Sequence, residues 1–152
     1  MTGSMDFDEM NKKVVAEFRD NGGKAGGVFA GTPLVLVHHV GARSGVKRIT
    51  PLAYFAEDGR IFVFATKGGS ADNPAWYHNL LANPRVTVEL GTETFEVDAL
   101  PLSGAERDEY FAKKVAVTPQ FAEYQRMVTR VIPVVELRRV YYEGKNRRSC
   151  AQ

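Results

Sequence analysis

Two short segments combine cations with glycines, the pattern that can hold an anion. The first is Gly41-Ala42-Arg43-Ser44-Gly45, followed by Lys47 and Arg48. Glycines allow backbone N–H groups to converge, a serine hydroxyl adds a donor, and the cations supply charge. A hairpin tip with solvated charges explains the same residues, because basic hairpin tips are common. The second is Lys67-Gly68-Gly69-Ser70, which leaves an apolar run and leads to Asn73-Pro74. A lysine, flexible backbone and a helix N-terminus together can hold a phosphate or carboxylate. A plain loop before a capped helix is the alternative here.

Trp76 and Tyr77 follow at once. They could stack on a planar ring, although aromatics on a short helix usually pack in a core, and one of the two is expected there. His78 reads as a half-exposed histidine with acid–base capacity. His38 and His39 are neighbours on an apolar, β-branched run, so they must point to opposite faces and cannot share a metal. With three histidines and one cysteine, Cys150, no zinc-ligand spacing exists. Gly-x-Ser-x-Gly, Gly-x-Gly-x-x-Gly and the Walker pattern are all missing from the chain. Tyr110, Phe111, Phe121, Tyr124 and Met127 read as core, with a tyrosine hydroxyl as a candidate proton donor.

These residues need elements to position them. The spacing predicts a helix over Asp8–Arg19, ended by Gly22 and Gly23, with Gly26 and Gly27 extending a flexible connector. Strands are predicted at Leu34–Val40, Lys47–Phe55, Arg60–Thr66, Val86–Leu90, Thr94–Leu100 and Val134–Tyr142. Helices are predicted at Pro74–Ala82, with Asn73 as N-cap, from a Ser103/Glu106 capping box to about Val115, and from Thr118-Pro119 towards Ile132. Short turns join most strand pairs, so the sheet should be mainly antiparallel. About six strands with flanking helices make a small α+β barrel.

The 152 residues suit one domain, with a core over about 18–142 and polar tails at 1–4 and 144–152. A net charge of +2 is too mild for general nucleic-acid binding. One cysteine and a polar, acidic N-terminus fit a reducing, cytoplasmic setting. The first helix carries Lys12, Lys13 and Arg19 against Asp8, Glu9, Glu17 and Asp20, so an ordinary surface helix is favoured over a membrane-bound one.

In order and spacing, these segments resemble the deazaflavin (F420)-dependent nitroreductase family, split β-barrel reductases of actinobacteria. The resemblance runs from about Phe18 to Leu137. It rests on Asn21-Gly22-Gly23-Lys24, Gly41-Ala42-Arg43-Ser44-Gly45, Thr50-Pro51-Leu52, Thr66-Lys67-Gly68-Gly69, Asn73-Pro74-Ala75-Trp76-Tyr77-His78-Asn79-Leu80 and Ala82-Asn83-Pro84-Arg85-Val86. It implies a split barrel like those that bind FMN, and F420 as cofactor. Arg43, Ser44, Lys47 and Arg48, with Gly45 in the same turn, would meet the phosphate and its arm. Lys67, Gly68 and Gly69, flanked by Thr66, Asn73 and Pro74, would approach the arm and ring. Pro51, Trp76 and Tyr77 would border the ring, and Lys24 the polyglutamate tail.

The implied activity is hydride transfer from F420H2 to enones, quinones or nitroaromatics. Family members place several tyrosines near the later helix. This chain has Thr118, Phe121 and Tyr124 there, so Tyr124 alone keeps a phenolic hydroxyl. That favours enones and quinones over nitro compounds. The alternatives are an FMN-dependent oxidoreductase on the same barrel and a non-catalytic carrier of deazaflavin or a lipid-like ligand. The partner is a small molecule, with no nucleic acid, and the chain is a monomer or homodimer.

Overall fold

The computed structural model describes residues 2–23 and 33–141, with side chains of the first helix described from Asn11 onward. The described elements run α1 Thr2–Asp20, β1 Leu34–Val40, β2 Lys47–Glu57, β3 Arg60–Phe64, α2 Ala75–Ala82, β4 Arg85–Leu90, β5 Glu93–Pro101, α3 Gly104–Val117, α4 Gln120–Arg126 and β6 Val134–Arg139. The six strands close a barrel in the order β1-β2-β3-β6-β5-β4, every neighbouring pair antiparallel. The expected α+β split-barrel class is met.

Strand alternation divides the core. Val35, Val37, Val63, Val88, Val97 and Val135 point inward and meet Trp76 and Leu80 of α2, which plugs the barrel. Leu34 and Leu36 point outward and pack against Val14 and Phe18 of α1. A third cluster joins Phe62, Phe64 and Val134 to Tyr110 and Phe111 of α3. Removing side chains of this size from water contributes roughly 1.5–3 kcal/mol each, which fixes the helices on the barrel.

The pairings also set which connections share an end. Val40 opposes Lys47, His38 opposes Thr87, Phe64 opposes Val134 and Pro101 opposes Val135. The connections 41–46, 65–84 and 102–133 therefore all emerge at one mouth of the barrel. Tight hairpins at Asp58-Gly59 and Gly91-Thr92 close the other end. There Gly23 lies against the second hairpin: a Cβ on it would stand 2.4 Å from the Gly91 Cα, so no side chain fits.

Several local expectations differ from the structure: α1 already begins at Thr2, β3 stops at Phe64 and β6 at Arg139. Asn73 does not cap α2. Pro74 occupies the cap with extended backbone, and the Asn73 side chain is engaged elsewhere. Ser103 holds the cap position of α3 without a side-chain hydrogen bond, and the Glu106 side chain pairs with Arg60 and does not complete the box. The last helix stops at Arg126, well short of Ile132.

Candidate functional site at the barrel mouth

The turn 41–46 closes on itself. The Gly41 N–H donates to the Val46 carbonyl at 2.9 Å, the Gly45 N–H to the Gly41 carbonyl at 3.0 Å and the Val46 N–H to Ser44 Oγ at 3.1 Å. Three of the N–H groups expected to face an anion are therefore spent inside the turn, and that of Ala42 goes to Asn79. Its capacity to bind falls on the side chains of Arg43, Lys47 and Arg48, which are exposed and make no ion pair among the described residues. Several cations elsewhere are matched: Arg60 with Glu136 at 2.9 Å, Arg85 with Asp98 at 2.7 Å and Lys113 with Glu57 at 2.6 Å. The Ser44 hydroxyl keeps its proton to donate.

The segment after β3 forms a single 3-10 turn, Lys67–Gly69. Lys67 is left-handed (φ 47), uncommon for a residue with a Cβ, and its ammonium is exposed and unpaired among the described residues. Gly69 is left-handed too (φ +84), and a Cβ there would come within 2.9 Å of Met127 Sδ and 3.4 Å of the Tyr124 ring. The turn therefore lies directly beneath α4. Tyr124 is half-buried, its ring 5.7 Å from that of Phe121, and its hydroxyl has no hydrogen-bond partner among the described residues. Arg130 wraps the same segment and takes the Asn73 side chain at 2.6 Å.

On α2 the two aromatics separate. Trp76 is buried in the barrel core, while Tyr77 is half-buried, edge-on to it at 6.4 Å and 86°. One of the pair is thus core, as the sequence implied. Asn79, a polar residue on the buried stripe of α2, links two segments: its Oδ1 accepts the Ala42 N–H at 2.9 Å and its amide donates to His39 Nδ1 at 2.9 Å. Because Oδ1 is fixed by Ala42, Nδ2 must face His39. His39 Nδ1 is therefore bare, and Nε2–H donates to Thr50 Oγ1 at 2.8 Å. Burial, reinforced by Arg48 and His38, lowers the His39 pKa from 6.5 to about 4. This neutral histidine orients Asn79, which ties α2 to the cationic turn.

His38, on the opposite face, meets Glu89 at 2.6 Å, and Glu89 also receives Arg19 of α1. His38 and Arg19 edge a cleft of about 860 Å³ between α1 and the barrel, whose walls carry Lys12, Lys47, Arg48 and Arg85. The cleft is continuous with the turn through Lys47 and Arg48. Pro51 opposes Leu36 and so lies on this outer face, whereas Trp76 lies inside the barrel. The two do not form one wall, so the expected ring pocket of Pro51, Trp76 and Tyr77 is not a single surface. Lys24 lies outside the described residues.

The mouth therefore gathers Arg43, Ser44, Gly45, Lys47, Arg48, Thr66, Lys67, Gly68, Gly69, Asn73, Pro74, Tyr77 and Tyr124 from distant parts of the chain. Sequence reasoning missed His39, Asn79 and Arg130. The signal for Asn79 was a polar residue three positions after Trp76 on an otherwise apolar helix face. No group of three or more His, Cys, Asp or Glu side chains suited to a metal occurs among the described residues. No described helix is long and apolar enough to cross a membrane.

A family model for F420H(2)-dependent quinone reductases matches residues 10–138. An F420H(2)-dependent quinone reductase of Mycobacterium tuberculosis (strain ATCC 25618 / H37Rv) is 34% identical over 130 residues, covering 82% of this chain and 86% of that protein. A solved structure described as an F420-H2-dependent reductase (FDR-A) is 40% identical with a TM-score of 0.63, covering 69% of this chain and 93% of the other. A second, described as a domain-swapped dimer, is 33% identical with a TM-score of 0.65, covering 88% of this chain and 98% of the other.

Proposed function

The chain belongs to the F420H(2)-dependent quinone reductase family, and from that premise we propose that it reduces quinones and enones with hydride drawn from F420H2. The observation that carries this reading is the set of unpaired cations at one mouth, Arg43, Lys47, Arg48 and Lys67, in a molecule whose other arginines largely have acidic partners. F420 carries a phosphate and several carboxylates, so this donor set fits it. Arg43, Lys47 and Arg48, with the Ser44 hydroxyl, would hold the phosphate. The cleft beside α1, with Lys12 on its wall, offers the anionic tail a path. Lys67 and the turn through Gly69 would face the arm and ring, with Tyr77 alongside.

When bound, the reduced cofactor supplies a hydride. The chain supplies orientation. Met127 and the Tyr124 ring already fill the space over the buried Gly69, so the backbone of this turn is fixed from that side and a ring would have to approach it from the other. The Tyr124 hydroxyl, unbonded among the described residues, would donate a hydrogen bond to the acceptor oxygen and hold the proton an enolate or hydroquinone needs.

The test is fluorescence titration with oxidised F420, FMN in parallel, at low and high salt. Micromolar or tighter F420 binding that weakens with salt, with FMN ignored, supports the reading. Preference for FMN, or no F420 binding, overturns it. F420 binding with no turnover of any quinone or enone would leave a carrier. Assembly as a homodimer, after the domain-swapped relative, is tested by light scattering, where a monomer mass excludes it.

A further inference from the structure

Arg130 stands between α4 and β6, half-buried and remote in sequence from the segment it touches. Its guanidinium makes four hydrogen bonds, all to that one segment. Nη1 donates to the Ala65 carbonyl at 3.1 Å and to Asn73 Oδ1 at 2.6 Å, Nη2 to the Thr66 carbonyl at 2.9 Å, and Nε to the Ser70 carbonyl at 3.1 Å. Two acceptors precede the Lys67–Gly69 turn and two follow it. The planar fork of five donors thus pins both ends of the turn at once, which three donors on a lysine ammonium cannot do over that span.

The turn needs such a clamp. It contains a left-handed lysine, and a strained conformation persists only where its surroundings over-determine it. The acceptors are three carbonyls and an amide, with no carboxylate among them. Arg130 therefore hydrogen-bonds no carboxylate, and the nearby charge of Asp72 acts on it only through space.

We infer that Arg130 is the positioning residue of the cofactor site, holding the Lys67–Gly69 turn in its binding geometry. The inference rests on the reading that this turn meets F420. Arg130 itself touches no reacting atom, so its loss should weaken cofactor binding and leave the chemical step alone.

The test compares Arg130→Lys and Arg130→Ala with the wild type in two ways. Hydrogen exchange on the cofactor-free protein reads peptides spanning 65–73, with β4 and β5 as internal controls for folding. Both variants should exchange faster over 65–73 and match the wild type over β4 and β5. F420 titration should then show affinity weakened at least about tenfold in both variants. Millimolar ethylguanidinium should restore part of it to Arg130→Ala, and kcat at saturating F420H2 should stay within about twofold of wild type. Wild-type exchange over 65–73 in both variants would overturn the clamp. Faster exchange with unchanged F420 affinity would overturn the positioning role. A wild type that binds no F420 overturns the assignment of the site and with it that role, while the exchange experiment still decides the clamp.

Discussion

Replacing His39 with Gln should remove most of the chain's loss of stability in mild acid. The ring is 3% exposed and its tautomer is dictated on both sides: Asn79 donates to Nδ1 and Thr50 accepts from Nε2. A second proton on Nδ1 would face the Asn79 amide donor, and turning that amide would set its NH2 against the Ala42 N–H. Protonation therefore breaks one hydrogen bond whichever way Asn79 sits. The pKa falls from 6.5 unfolded to about 4 folded. The neutral form favours the fold, so this stability is fully present above pH 6.5 and is lost as pH falls towards 4. Linkage gives a loss of about 2 kcal/mol by about pH 5.

Glu89, Glu136 and Asp98 are held below their ordinary values by Arg19, Arg60 and Arg85. Their contributions are lost mainly below about pH 5, so the window above it belongs chiefly to His39. Urea unfolding at several pH values between about 8 and 5 measures the effect. The wild type should lose about 2 kcal/mol across that range and His39→Gln no more than about 0.5. Equal slopes for the two proteins would refute the argument that His39 is locked neutral.

Tyr124→Phe should lower kcat and leave F420 affinity nearly unchanged. Stopped-flow turnover beside fluorescence titration checks this, and a wild-type rate removes Tyr124 from the mechanism. Gly69→Ala must force a Cβ into left-handed backbone and against Met127 Sδ, for about 1–2 kcal/mol of strain. A melting curve should shift down and F420 bind more weakly, whereas an unchanged melt would mean the turn has another conformation. Arg60→Ala strips the main partner from Glu136, whose side chain is 3% exposed, and should cost about 3 kcal/mol in urea unfolding. A loss below about 1 kcal/mol would show that Arg138 suffices.

Period-two apolar runs and turn residues set the strands in the sequence: β1 spans Leu34–Val40 as its β-branched run predicts, and Asp58-Gly59 makes the hairpin it predicts. Helix ends were less legible. Asn73 has the chemistry of a cap, yet tertiary contact with Arg130 outcompetes the local bond. The cationic, glycine-bearing segments were visible as residue types. Their meeting at one mouth was not, because it follows from strand register and barrel closure. Trp76 and Tyr77 look alike in sequence, and only the plugging of the barrel by α2 sends one into the core.

Local chemistry by itself determined the strands, the opposite faces of His38 and His39, and which cations were candidates for an anion. The tertiary structure decided which cations stay unpaired, which nitrogen of His39 carries the proton, and that Arg130 holds the Lys67–Gly69 turn from 60 or more positions away. Those outcomes depend on partners brought together by closing the barrel, and separation along the chain carries no record of that distance in space.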